Sequence, residues 1–143
     1  MYRPTIRADP AAGVTRRLEK LHADFGRWCM VWGLSRLARE ADIQFADDLG
    51  MALGRCDPRS GHIVLNGVLL ATGNETLLAE TLCHEAAHLV AHLRYGPRIA
   101  EHGPEWQEYM TKAGFQPRPV IPIGEVAGMV TQPRSGPRLR ARP

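Results

Sequence analysis

Leu82-Cys83-His84-Glu85-Ala86-Ala87-His88-Leu89 decides how this chain is read. It sits inside a long apolar run that has the length and composition of a helix. On an α-helix residues four apart share a face, so the imidazoles of His84 and His88 point the same way and can grip one metal ion. Glu85 is turned about 100° from His84, near enough to hold a water at that metal without ligating it. Two ligands and a general base at this spacing form the H-E-x-x-H arrangement that zinc-dependent peptide hydrolysis uses. Given the chain's own His and Glu content, the pattern should arise by chance in about 1–2% of such sequences.

Outward from this motif, the metal helix is expected from about Glu75 to Arg94. Thr72 (with Glu75 three residues on) or Asn74 caps its start, and Tyr95-Gly96-Pro97 stops it. Leu77, Leu78, Leu82, Ala86, Leu89, Val90 and Leu93 give it so large an apolar share that it must pack on more than one side. Upstream, Leu18, Leu21, Phe25, Trp28, Cys29 and Trp32 recur at steps of three and four from about Thr15, an amphipathic helix with an aromatic stripe toward a core. Gly33 ends or kinks it. Residues 42–67 read as two or three short antiparallel strands, with a hairpin turn in Asp57-Pro58-Arg59-Ser60-Gly61. Downstream, Pro104 and Glu105 suit the first turn of a final short helix that carries Trp106, Tyr109 and Met110 inward and stops at Gly114. The fold class is therefore α+β. It divides into a loose leader (1–14), one compact domain (15–115) and an Arg/Pro-rich, disordered tail (116–143).

Composition agrees with a single domain. The 143 residues are 44% hydrophobic and 23% charged, as in a soluble globular protein. No window reaches the length of a membrane span and the N-terminus lacks the apolar core of a signal peptide, so no membrane partner and a cytoplasmic location are expected. Cys29, Cys56 and Cys83 form no C-x-x-C pair and read as reduced core residues. Residues 1–115 hold 13 basic against 14 acidic groups. The tail holds Arg118, Arg134, Arg138, Arg140 and Arg142 against Glu125 alone, so the net charge of +3 belongs to the tail. Such a tail is a candidate DNA contact, and four or five arginines on phosphates give a log–log salt slope of about −4. Against this stands an ordinary solvated tail without a partner.

A catalytic zinc takes three protein ligands and leaves one position open. Four kinds of candidate compete for the third. His92 continues the i, i+4 series but lies about 12 Å along the axis from His84, beyond the reach of bonds of about 2.1 Å. The metzincin extension needs glycine at position 91 and histidine at 94, where this chain has Ala91 and Arg94. Glu101, Glu105 and Glu108 are possible carboxylate ligands. His102 is the leading candidate, since it precedes a new helix after a loop able to fold back on the site.

His84-Glu85-Ala86-Ala87-His88, thirteen residues, and then His102-Gly103-Pro104-Glu105-Trp106 together resemble the SprT-like domain, the protease domain of Spartan. Gly54-Arg55-Cys56, Ile63-Val64-Leu65-Asn66 and Leu69-Leu70 are similar to its hairpin and the approach to its metal helix. The likeness covers roughly residues 15–115. It implies Zn2+ held by His84, His88 and His102, Glu85 as general base, and Trp106 packed near the site. The four-cysteine zinc ribbon that many SprT proteins carry has no counterpart here. The resemblance implies a metallopeptidase acting on a protein or peptide substrate that is bound or crosslinked to DNA. Tyr95, Arg98 and Tyr109 are candidates for stabilising the oxyanion. Three other readings compete: a zinc-containing nucleic-acid-binding or stress-associated module with vestigial peptidase activity, a small metallopeptidase indifferent to DNA, and a metal-free helical protein whose histidines fill a polar groove.

Overall fold

A computed structural model describes residues 5–7 and 13–127. The first helix, α1 (Val14–Val31), buries Leu21, Phe25, Trp28 and Cys29 along one stripe, as the three-four spacing predicts. Gly33, at φ 74°, closes it. The amide of Gly33 donates to the Met30 carbonyl and that of Leu34 to Cys29, a paired-bond C-cap that favours a residue free to adopt positive φ. A short turn, α2 (Leu37–Glu40), leads into the sheet.

Four strands form that sheet: β1 (Thr5–Arg7), β2 (Asp42–Ala46), β3 (Gly54–Asp57) and β4 (His62–Asn66). The spatial order is β1-β2-β4-β3. β3 and β4 make the expected antiparallel hairpin, with Cys56 opposite Ile63 and Gly54 opposite Leu65. The rest of the sheet differs from the all-antiparallel expectation. β2 pairs with β4 in parallel, Ile43 beside Ile63 and Phe45 beside Leu65. The cause is topological: residues 47–53 carry the chain past the place of β4 to the sheet edge, and the hairpin returns into the gap. β1 pairs with β2, also in parallel, so part of the stretch read as a loose leader belongs to the sheet. Three residues are too few to show a period of two, and the partner lies more than thirty residues away.

Asn66, buried at the end of β4, ties the hairpin to the loop before it. Its side-chain amide donates to the carbonyls of Ala52 (3.0 Å) and Gly50 (3.4 Å), and its oxygen accepts from Val68. A short 3-10 turn (Gly67–Leu70) then delivers the chain to α3 (Glu75–Tyr95), the motif helix. Asn74 occupies its N-cap. α3 lies between α1 and the sheet and buries twelve of its residues, which is why its apolar surface runs most of the way round. It ends at Gly96, before Pro97, and a loop leads to α4 (Pro104–Lys112). Trp28 meets Phe115 and Trp32 meets Tyr109 edge to face, and the Trp32 indole donates to the Tyr109 carbonyl at 2.9 Å. The two tryptophans are core residues.

The domain does not stop at residue 115. Residues 116–127 cross back over α3 as an ordered strap. Arg118 donates to both carboxylate oxygens of Glu80 (2.7 and 2.9 Å) and to Glu125 (2.7 and 2.8 Å). Val126 is buried, and Asn74 accepts from the Ala127 amide at 2.6 Å and donates to its carbonyl at 3.1 Å. The tail expected from 116 therefore contains twelve residues of folded chain, and residues 128–143 lie outside the described residues. No helix among the described residues is long and apolar enough to cross a membrane.

Candidate metal centre

One turn of α3 places His84 and His88 on the same face, and Gly103-Pro104 at the start of α4 returns His102 to meet them. The three Nε2 atoms form a near-equilateral triangle: 3.3 Å from His84 to His88, 3.1 Å from His88 to His102 and 3.3 Å from His102 to His84. A neutral imidazole has one N–H, so three nitrogens facing one another this closely are not a hydrogen-bonded set. A tetrahedral metal with bonds of about 2.0–2.1 Å has ligand–ligand edges of about 3.3–3.4 Å. The triangle fits one face of such a tetrahedron. These three side chains are able to hold a metal ion.

Burial and the adjacent imidazoles favour the uncharged, ligand form of the His84 and His88 rings. The His84 pKa is pushed down to about 3, first by burial and then by His88 and His102. That of His88 falls to about 4, again chiefly by burial. The floor of the cluster is Trp106, fully buried. Its ring stacks on His88 (centroids 5.5 Å, 22°) and meets His84 and His102 more steeply, and its indole N–H donates to the His84 carbonyl at 3.1 Å. Gln107 donates to the His102 carbonyl at 3.0 Å. His84 Nδ1 is buried without a hydrogen-bond partner among the described residues, so that ring is oriented by packing rather than by a polar contact.

Glu85 is 8% exposed and lines the same cleft. Gly54 of the edge strand β3 lets it sit there. A β-carbon at Gly54 would come within 3.1 Å of Glu85 Cγ and Thr81 Cγ2 and 3.2 Å of Leu65 Cδ2. Burial first, and the charge of Glu101 second, push the Glu85 carboxyl up to about 8. A dication on the histidines acts in the opposite sense. The cleft has a volume of about 460 Å³, and its walls include Arg55, Cys56, His92, Glu101 and Pro119.

His84, Glu85, His88 and His102 thus come together as the sequence predicts, and Trp106 lies against them. His92 lines the cleft and is not in the cluster. Glu101 lines it too, whereas Glu108 pairs with Lys112 and Tyr95. The oxyanion candidates fare differently. Tyr109 is buried in the core, Tyr95 is turned to Glu108, and the cleft walls include Arg55 and His92 rather than Arg98. Cys29 and Cys83 are core residues, but Cys56 is half-buried on the cleft wall, its thiol pushed up to about 12 by burial and by the charges of Glu85 and Asp57. Two contributors were not legible in advance: Gly54, whose signal is only a glycine within a strand, and Pro119, in a segment without periodicity.

A family model, the SprT-like family, matches residues 19–124. The chain belongs to that family. Among curated proteins it is similar to Protein SprT of Pseudomonas paraeruginosa (49% identical over 45 residues, 32% of this chain and 27% of the relative). It is likewise similar to Protein SprT of Pseudomonas fluorescens (47% over 45 residues, 32% and 27%). Protein SprT of Pseudomonas putida is 50% identical over 42 residues, 29% of this chain and 26% of the relative. The matched stretch thus spans about a quarter of the length of these relatives. No solved structure matches the chain. The family match therefore covers the stretch that carries the three-histidine group able to hold a metal ion.

Proposed function

We propose that this chain is a zinc-dependent metallopeptidase that hydrolyses peptide bonds in proteins bound or crosslinked to DNA. The triangle of Nε2 atoms, 3.1–3.3 Å on a side, with Glu85 buried beside it, carries the reading. Three imidazoles at tetrahedral spacing suit zinc, and His84, His88 and His102 would hold it. When bound, zinc supplies a Lewis acid that acidifies water and polarises a carbonyl group. Glu85 does the proton work. Its carboxylate takes a proton from the attacking water as the new C–O bond forms and the electron pair moves to the carbonyl oxygen. It then passes that proton to the amine nitrogen as the pair returns and the peptide C–N bond breaks. Its anchorage over Gly54 fixes the direction of that transfer. Arg55 and His92 line the same cleft and are the candidates to meet negative charge developing on the carbonyl oxygen.

The substrate class rests on two weaker supports. One is the resemblance to the protease domain of Spartan. The other is the surplus of arginines near the C-terminus. Arg118 is engaged by Glu80 and Glu125, so DNA contact falls to Arg134, Arg138, Arg140 and Arg142.

The test is cleavage of a basic DNA-binding protein by the zinc-loaded chain, with and without single-stranded DNA and with Glu85→Gln as the blank. The expected result is DNA-stimulated cleavage by the parent and none by Glu85→Gln, which still binds one zinc. Equal turnover in the mutant would overturn the mechanism. Cleavage indifferent to DNA would leave a general metallopeptidase. Zinc binding without any cleavage would favour the nucleic-acid-binding module.

A further inference from the structure

The cleft continues past the histidines. A second cavity, of about 210 Å³, opens beside it and is lined by Met51, Leu53, Thr81, Pro119, Val120 and Ile121, together with residues of the metal cleft. The two cavities share Gly54, His84, Glu85 and Pro119, so they are halves of one furrow that crosses α3 at Glu85. Their chemistry differs. The half that contains His102 also carries Arg55, His92 and Glu101. The other half has no charged side chain except Glu85 itself. Even Thr81 presents carbon: its hydroxyl donates to the Leu77 carbonyl at 2.8 Å, and its methyl approaches Gly54.

Two walls of this second half are large apolar side chains left in water. Met51 is 76% exposed and Val120 71%. They come from different segments, the loop before β3 and the strap, and the strap is pinned nearby by the two-oxygen contact of Arg118 with Glu80. Scattered surface hydrophobics need no explanation, but two that line one cavity beside a buried carboxylate form a local apolar patch.

We propose that this half of the furrow is a specificity subsite, taking one large aliphatic or aromatic side chain of an extended substrate next to the peptide bond presented to Glu85. The proposal rests on the metallopeptidase reading and adds the side-chain class that reading leaves open. Volume and charge both select the occupant. A cavity of about 150 Å³ holds a benzene ring, so this one accommodates an isobutyl or benzyl group. An acidic side chain would meet Glu85 with no cation among the lining residues to offset it. Continuity with the cleft argues for substrate as the occupant, because any chain laid across Glu85 in one half must leave through the other.

The test uses short peptide hydroxamates that differ in one side chain: hydrogen, isobutyl, benzyl, carboxymethyl or aminobutyl. Their affinities for the zinc-loaded full chain are measured by calorimetry, alongside Val120→Asp and Met51→Asp. Both positions are mostly exposed, so the variants should fold. Isobutyl and benzyl compounds should bind about 10- to 100-fold more tightly than the hydrogen compound, the effect of burying one large apolar side chain. Each variant should remove most of that preference, read as the ratio of the isobutyl or benzyl affinity to that of the hydrogen compound in the same protein. A flat series, a preference for carboxymethyl or aminobutyl, or a preference that survives both substitutions overturns the subsite and leaves the metallopeptidase reading in place. If no hydroxamate binds although zinc is held, no coordination position is open and both ideas fall.

Discussion

Trp106 links the third histidine to the other two, because a single indole stacks on His88, meets His84 and His102, and donates to the His84 backbone. Replacing it with phenylalanine keeps most of the packing and removes the N–H. Loss of one such supporting contact typically weakens a metal site 10- to 100-fold, and we expect about 10-fold for Trp106→Phe because a ring still fills the floor. Competition with a chromophoric chelator measures this, and parent-like affinity would show that stacking alone orients the ligands. Gly54 is the second residue with a role beyond its type. An added methyl must displace Glu85, Thr81 or Leu65, all held in the packed interior, so Gly54→Ala should destabilise the fold by about 1–3 kcal/mol through overpacking. It should also lower kcat more than it raises KM, since it moves the base and leaves the three ligands alone. Unchanged kcat with full zinc occupancy would refute that role for Gly54. At this scale the clustering of the three histidines was legible, because an i, i+4 pair of histidines and a His-Gly-Pro start to a helix are local patterns. Gly54 was not, since its reason lies in a helix some thirty residues away.

Elements show the same division between local and distant causes. The helices follow their sequence patterns closely: α1 ends before Gly33, α3 runs from Glu75 to Tyr95, and α4 begins at Pro104 and closes before Gly114. Each is set by side-chain period and by residues that suit particular cap geometries. The β3–β4 hairpin was equally legible from its turn. The parallel pairing of β2 with β4, and the whole of β1, were not, because strand order depends on where a connection crosses and carries no local signal. The strap escaped for another reason. Residues 116–127 have proline and charge but no period, and their order comes from single polar anchors. Asn74 is the tightest of these, 1% exposed, holding Ala127 by two bonds and the Val68 carbonyl by a third at 3.1 Å. Asn74→Ala leaves those backbone groups without their partner. At roughly 0.5–1.5 kcal/mol per bond, it should cost about 2–4 kcal/mol. Hydrogen exchange should locate the loss: the Val126 and Ala127 amides should exchange much faster while those of α1 change little. Uniform acceleration across all helices would mean the strap unfolds only with the whole domain.

For the whole molecule, three titrating groups at one site connect metal, pH and stability. In the metal-free chain the folded pKa values of His84 and His88 lie near 3 and 4, below the ordinary 6.5. The unfolded chain therefore takes up protons on both rings below pH 6.5 while the folded chain does not, so their contribution is intact above 6.5 and is lost as pH falls toward 4 and 3. Glu85 acts in reverse. Its folded pKa is raised from 4.5 to about 8, so its contribution is present below 4.5 and is lost as pH climbs from 4.5 to 8. Between 4.5 and 6.5 two histidines oppose one glutamate and stability still rises with pH. Above 6.5 only the glutamate acts, and stability declines. For these groups, the chelated protein should thus be most stable near pH 6.5. Zinc held by the three histidines would change both limbs. It would bind the neutral rings and favour an ionised carboxylate, and it would stabilise the fold in proportion to the logarithm of its concentration over Kd. The melting-temperature gain on adding zinc should therefore be larger at pH 8 than at pH 5, and the maximum should move upward in pH. Melting curves from pH 4 to 8, with chelator and with zinc, measure this, and Glu85→Gln separates the limbs by removing the alkaline decline of the chelated protein and sparing the acid one. A chelated maximum at pH 8, or an alkaline limb unaffected by Glu85→Gln, would show that the buried carboxylate does not govern the molecule's stability.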